Sequence, residues 1–334
     1  MRTSCLDATQ LQLKRQVRFR VSVAIELQND WLFSYMQLGR NCIRKRFMIR
    51  QAALSLLLAL FAAKCGAQEP AYFVTYSHAM EEPGNLEIAI KGVQGSPKFG
   101  NPFVSETLEL EYGAQAWWTT EIYLAGQHTS NDSTVFTGFR WENRFRPLFR
   151  EHFINPVLYV EYENTNLADR SLLEVVGHDS IADMRVSNAA GRGETEREME
   201  LKLILSSNFR GWNVSENFIT EKALNESEPW EFGYALGVSR PLALAASSRP
   251  CVFCRENFAV GAELYGGLGD LNGFGLKATS HYAGPTVAFD IPRGPTVSFS
   301  PNFGLNDNSV GVIYRFSVSY EVQQLFGRFH RSGR

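Results

Sequence analysis

Three groupings in this 334-residue sequence have residue types at spacings that chemistry uses. Ser77-His78 and Ser280-His281 each set an imidazole beside a hydroxyl, the minimum for activating an oxygen nucleophile. Neither sits in the Gly-x-Ser-x-Gly turn that presents a nucleophile to substrate, and adjacent Ser and His are common, so no catalytic residue is assigned. His152, His178 and His330 fall in loops or the tail, and His128 ends a strand beside Thr129 and Ser130. Cys251-Val252-Phe253-Cys254 has the spacing of a metal, redox or disulfide pair. Structural zinc needs four ligands and haem attachment needs a histidine where Arg255 stands, so the pair is read as a loop disulfide. The run from Gly266 to Gly273 has the glycine density of a phosphate loop but no lysine and no following helix, which makes it a turn between strands. No cofactor and no metal is expected.

Beyond these three groupings stand the charges, which lead back to the elements that carry them. From residue 71 onward, runs of about ten residues alternate apolar and polar side chains, the mark of a two-faced strand. Leu108, Leu110 and Tyr112 oppose Glu109 and Glu111; Ile122 and Leu124 oppose Glu121 and Tyr123. Phe139, Trp141 and Phe145 oppose Arg140, Glu142, Arg144 and Arg146, and Leu158, Val160 and Tyr162 oppose Glu161 and Glu163. Leu201 and Leu203 oppose Glu200 and Lys202, Phe232 and Tyr234 oppose Glu231, and Val260 and Ala262 oppose Glu263. Further strands are expected over 71–77, 86–93, 213–222, 281–291, 296–305 and 310–322. Gly113-Ala114 reads as a tight turn. The polar stretch 164–196 reads as an external loop or a plug, and 225–229 and 243–256 as further loops.

A composition of 44% hydrophobic, 13% aromatic and 20% charged residues excludes disorder and collagen-like sequence. Of the 33 basic and 35 acidic residues, 11 and 3 lie in positions 1–67, leaving 22 against 32 in the remainder. That acidic body repels phosphate and argues against nucleic acid as a partner. The basic leader ends in an apolar run, 52–63, too short for a membrane-crossing helix and followed by Cys65-Gly66-Ala67, a small-residue exit for cleavage. Residues 48–67 are therefore read as a signal peptide and 1–47 as a leader or mis-assigned start without a stable fold. A lipoprotein reading with Cys65 acylated is opposed by Lys64 before it.

Residues 68–334 are then an all-β domain. The expected fold is an antiparallel transmembrane β-barrel of about 12 strands, in the range 10 to 14, because strands of this length suit a tilted crossing of a bilayer better than a sandwich. Tyr72, Tyr76, Tyr112, Trp117, Trp118, Trp141, Trp212, Trp230 and Tyr320 near the strand ends fit interfacial belts. The C-terminal segments from His281 to Phe289, from Asn302 to Ser309 and from Tyr314 to Glu321 resemble the closing strands of porin-like outer-membrane barrels of Gram-negative bacteria. That resemblance implies an outer-membrane location after export, with lipid and the barrel assembly machinery as partners; no enzymatic activity is expected, because no catalytic grouping is assigned. One departure is that such barrels end on an aromatic residue, whereas Glu321 to Arg334 follow Tyr320, so Tyr320 or Phe329 has to serve.

In such a barrel Glu109, Glu111, Glu121, Arg140, Glu142, Arg144, Glu161, Glu163, Glu200, Lys202, Glu231 and Glu263 line the lumen. Carboxylates dominate there, and rings of them favour cations. The expected function is a weakly cation-selective pore for small solutes, or a structural barrel sealed by paired charges. Two alternatives stand beside it: a secreted soluble β-sandwich binding carbohydrate through Trp117, Trp118 and Trp212, and a barrel hydrolase acting on lipid. Solute and oligomeric state are left open.

Overall fold

The computed structural model describes residues 70–98, 100–171, 184–245 and 251–325. The signal peptide and leader expected at 48–67 and 1–47 lie outside these residues, as does Phe329. Twelve antiparallel strands follow one another in chain order: β1 (Leu86–Gly95), β2 (Phe103–Gln115), β3 (Trp118–Thr129), β4 (Thr134–Phe145), β5 (Asn155–Asn166), β6 (Thr195–Phe209), β7 (Trp212–Ala223), β8 (Glu231–Pro241), β9 (Phe258–Asp270), β10 (His281–Asp290), β11 (Thr296–Gly304) and β12 (Val312–Val322). Each pairs with its neighbours, and β1 pairs with β12, so the sheet closes into a barrel rather than two stacked sheets. A soluble sandwich is not the architecture. Closure leaves no unpaired edge, the condition for strands in hydrocarbon, where each unsatisfied backbone group costs several kcal/mol.

Period-two sequence fixes which side faces out. Ile90, Leu108, Ile122, Leu124, Phe139, Trp141, Leu158, Val160, Leu203, Phe218, Val287, Val297, Phe299 and Val318 are exposed on the outer surface. The alternate positions are buried inside the cylinder. This apolar-out, polar-in order is the reverse of a water-soluble sheet and is what a lipid-facing barrel requires.

The even strand count puts the start of β1 and the end of β12 at one end of the barrel, here the near end. The near-end connections are 116–117, 146–154, 210–211, 242–257 and 291–295, and the far-end ones are 96–102, 130–133, 167–194, 224–230, 271–280 and 305–311. The longest connection, 167–194, carries a one-turn helix α1 (Asn188–Gly191) capped by the Ser187 side chain.

Two expectations need correcting. Residues 71–77 form no strand but run inside the barrel, so Tyr72 and Tyr76 belong to no interfacial belt. Gly113-Ala114 is no turn: both residues lie within β2, at a register shift between Gly113 and Gln115, and the chain reverses at 116–117. Gly113 is needed because the incoming chain crosses it closely. Gly84 donates to the Gly113 carbonyl at 2.7 Å, and a Cβ at Gly113 would stand 2.2 Å from the Glu82 carbonyl oxygen.

Candidate functional site

The strand registers align acidic residues around the wall. Glu321, Glu87, Glu111, Glu121, Glu142, Glu161, Glu200, Glu221, Glu231 and Asp270 each stand directly opposite the next, on β12, β1, β2, β3, β4, β5, β6, β7, β8 and β9 in turn. Like charges directly opposite on paired strands destabilise a sheet, so this row requires compensation. Glu121, Glu142, Glu161 and Glu200 in it are buried, and Glu111 and Glu231 are half-buried.

Cations one or two residues away along the strands supply part of it. Arg144 reaches Glu111, Glu121 at 3.5 Å and Glu142 at 2.8 Å. Lys91 pairs with Glu109, Lys202 lies 2.7 Å from Glu200, and Arg140 stands 3.9 Å from Glu161. Tyr76, Tyr123 and Tyr159 fill the spaces between. Tyr123 donates to Glu142 at 2.5 Å and Tyr76 donates to the same carboxylate at 3.0 Å. The Arg140 guanidinium lies 4.5 Å from the Tyr123 ring centre, and the Lys202 ammonium lies 4.2 Å from that of Tyr159. Of the twelve lumen-lining residues expected from sequence, Glu109, Glu121, Arg140, Glu142, Arg144, Glu161, Glu163, Glu200 and Lys202 meet in this cluster on β2–β6, with Glu111 at its edge. Glu231 sits in the row on β8, and Glu263 does different work.

Glu263 holds the inserted chain. Its carboxylate accepts backbone N–H groups from Phe73 (3.0 Å), Val74 (2.9 Å) and Thr75 (2.7 Å). Residues 70–85 enter at the near end with Ala71 donating to the Ser239 hydroxyl, and Tyr72 donates to Asn213. Asn217 then grips Tyr76 twice, accepting from its N–H and donating to its carbonyl. Past Tyr76 the chain turns back, with His78 against Ser206 at 2.8 Å, and reaches Gly113 and β1. Gly237 makes room: a Cβ there would stand 2.6 Å from the Tyr72 ring. Val74 packs in the barrel interior with Val93, Phe103, Ile219, Tyr265 and Tyr282. This segment is the feature that sequence reasoning missed, together with Lys91, Tyr123 and Tyr159. The period-two rule applied to Ala89 and Lys91 would have placed that lysine inside.

The described parts of the connection, 167–171 and 184–194, contact the far end of the wall. Asn188, fully buried, accepts from Gln127 and Thr129 and donates to the Ser133 carbonyl. Arg170 donates to Thr129 and to the Val186 carbonyl, and Arg315 donates to the Ser171 carbonyl. Behind it lies a cavity of about 380 Å³ bordered by Asn101, Thr129, Asp132, Arg170, Arg185 and Ser187.

The Ser-His pairs form no exposed nucleophile. His78 contacts Ser206 rather than Ser77, with Glu151 3.8 Å from its other nitrogen, and Ser206 is buried in bonds from Ser215 and Asn213. His281 is held by Tyr234, Thr279 and the Leu276 carbonyl. Cys251 and Cys254 are bonded to each other in the near-end connection of β8 and β9. The glycine run lies partly in β9, which extends to Asp270 before the turn.

No protein-family model matches the sequence, and no curated protein is a recognisable relative. Among solved structures the chain is similar to the KdgM porin, with 8% identity and a TM-score of 0.42 over 70% of this chain and 98% of that one. It is also similar to an outer membrane channel from Pseudomonas putida F1, with 11% identity and a TM-score of 0.44 over 73% and 97% of the two chains. A third similar structure is LpxR from Salmonella typhimurium, with 10% identity and a TM-score of 0.35 over 70% and 99%.

Proposed function

We propose that this chain is a bacterial outer-membrane barrel whose lumen prefers cations and is held shut by its own residues 70–85. The observation that carries this reading is the row of ten facing carboxylates on a closed wall, with fewer cations than acids around it. Fixed negative charge in a confined space raises the local concentration of cations and excludes anions. The outward apolar belt supports the membrane location. Either Tyr320, on β12, or Phe329, outside the described residues, is the aromatic residue offered to the assembly machinery, unless assembly tolerates the tail.

The inserted segment explains why the carboxylates are buried rather than bathed. It is anchored by Glu263 and Asn217 at its inner bend and crosses to the charged wall through Tyr76. Deleting residues 70–80 empties that half of the cylinder while leaving every strand intact. In planar bilayers the full chain should be nearly silent, and the deletion variant should conduct with a reversal potential shifted toward the cation. A deletion variant that folds, shown by heat-modifiable gel migration, yet passes no current would end the pore reading and leave a structural barrel.

A further inference from the structure

One carboxylate oxygen from each of Glu161, Glu163 and Glu200 lies within 4.8 Å of the other two. The sheet itself brings them together: Glu161 faces Glu200 directly across β5 and β6, and Glu163 follows two residues along on the same face of β5. All three are buried, at 1%, 5% and 3% exposure.

A second trio on the same wall, Glu109, Glu111 and Glu121, meets the same distance criterion but is already filled by cations. Lys91 pairs with Glu109, and Arg144 contacts Glu111 and Glu121. The first trio is not filled in that way. Lys202 serves Glu200, and Arg140 makes only a long ion pair with Glu161, at 3.9 Å. Glu161 is the decisive residue. Though almost wholly buried, it accepts no hydrogen bond on either carboxylate oxygen, and one of those oxygens converges on the neighbouring carboxylates. A buried carboxylate whose oxygens accept no hydrogen bond, and whose one ion-pair partner stands 3.9 Å away, is left short of compensation.

We propose that Glu161, Glu163 and Glu200 hold a hard divalent cation of the calcium class, which pins β5 to β6 inside the barrel. An all-carboxylate site selects hard ions over soft ones. Calcium tolerates irregular coordination, whereas magnesium demands a near-ideal octahedron and keeps several waters. The proposal rests on the buried trio and not on conduction, so a silent barrel leaves it standing.

The test uses the full chain purified in detergent, stripped with EDTA and titrated with CaCl2 alone by calorimetry. One saturable site per chain is expected, with a melting temperature higher by roughly 5 °C at a hundredfold excess over the dissociation constant. The E161Q/E163Q variant should lose both. Should that variant fail to fold, Tb3+ replaces calcium in the wild-type chain and is excited through tyrosine. Emission should be quenched by added CaCl2 and should fall in Y159F, whose ring lies beside Lys202 and hence Glu200. Absence of wild-type calcium binding, as expected if the carboxyls merely share protons, overturns the proposal. Undiminished binding by E161Q/E163Q, or Tb3+ emission unchanged in Y159F, overturns it as well.

Discussion

The two halves of the barrel wall share one strand pattern and differ in chemistry. From β1 to β6 the inward positions carry Lys91, Glu109, Glu121, Arg140, Glu142, Arg144, Glu161, Glu163, Glu200 and Lys202. From β8 to β10 they carry Gly233, Ala235, Gly237, Gly261, Gly284 and Ala288, with Glu263 alone as a buried charge. The inserted segment lies against the second wall, where small residues leave room, and meets the first through Tyr76, His78 and Met80. Inward polarity is therefore not one property. One wall is a charge network in which acids outnumber cations, and the other is a seat for backbone.

Breaking the charged wall should have the largest effect. R144M leaves Glu111, Glu121 and Glu142 without their shared cation, and loss of one partner of a buried ion pair costs about 3–5 kcal/mol. Urea unfolding in detergent should show a correspondingly lower midpoint, and an unchanged midpoint would mean that this cluster is solvated. E263A attacks the other wall. It removes the acceptor of the Phe73, Val74 and Thr75 N–H groups, which water reaches once the segment loosens, so the cost stays near that of one unsatisfied group, about 1–3 kcal/mol, and the sheet stays closed. Single-channel recording and protease cleavage within 70–85 should therefore both rise.

G237V is the steric version of the same test. Its side chain would collide with Tyr72 and Thr75, an overpacking cost of about 1–3 kcal/mol, and conductance should appear with little change in strand content by circular dichroism. The smallest effect concerns pH. Burial lowers the pKa of His78 below its ordinary 6.5; nearby Glu151 opposes that shift and Arg146 adds to it. A lowered pKa makes the docked segment fully stable above 6.5 and progressively less so as pH falls below it, because the released histidine takes up a proton first. Open probability should rise modestly between pH 7.5 and 5.5, and the rise should be absent in H78Q.

Much of this was legible in the sequence, and the reasons for the rest are physical. Alternation identified the outward and inward faces of β2 to β6, β8 and β9 because a residue's face depends only on its position along its own strand. The carboxylate row was not legible, since facing Glu142 with Glu161 and Glu161 with Glu200 requires the register between strands, which turns and bulges set. Residues 71–77 mimicked a strand because an extended chain with a neighbour on each side also has two faces. Tyr72 packs toward Gly237, and Glu263 satisfies the backbone that a sheet partner would otherwise take. Gly113 was read as a reversal when it marks a crossing, as glycine permits both.

Because β1 is hydrogen-bonded to β12, the cylinder exists only when the last strand synthesised has met the first. Residues 70–85 precede β1, so the wall that encloses them is completed by the opposite terminus of the polypeptide. The segment enters and leaves by the near end, so it can seat without being threaded once the seam has closed. A chain released before Val322 would thus forfeit the stopper along with the seam, which couples quality control of assembly to closure of the conduit.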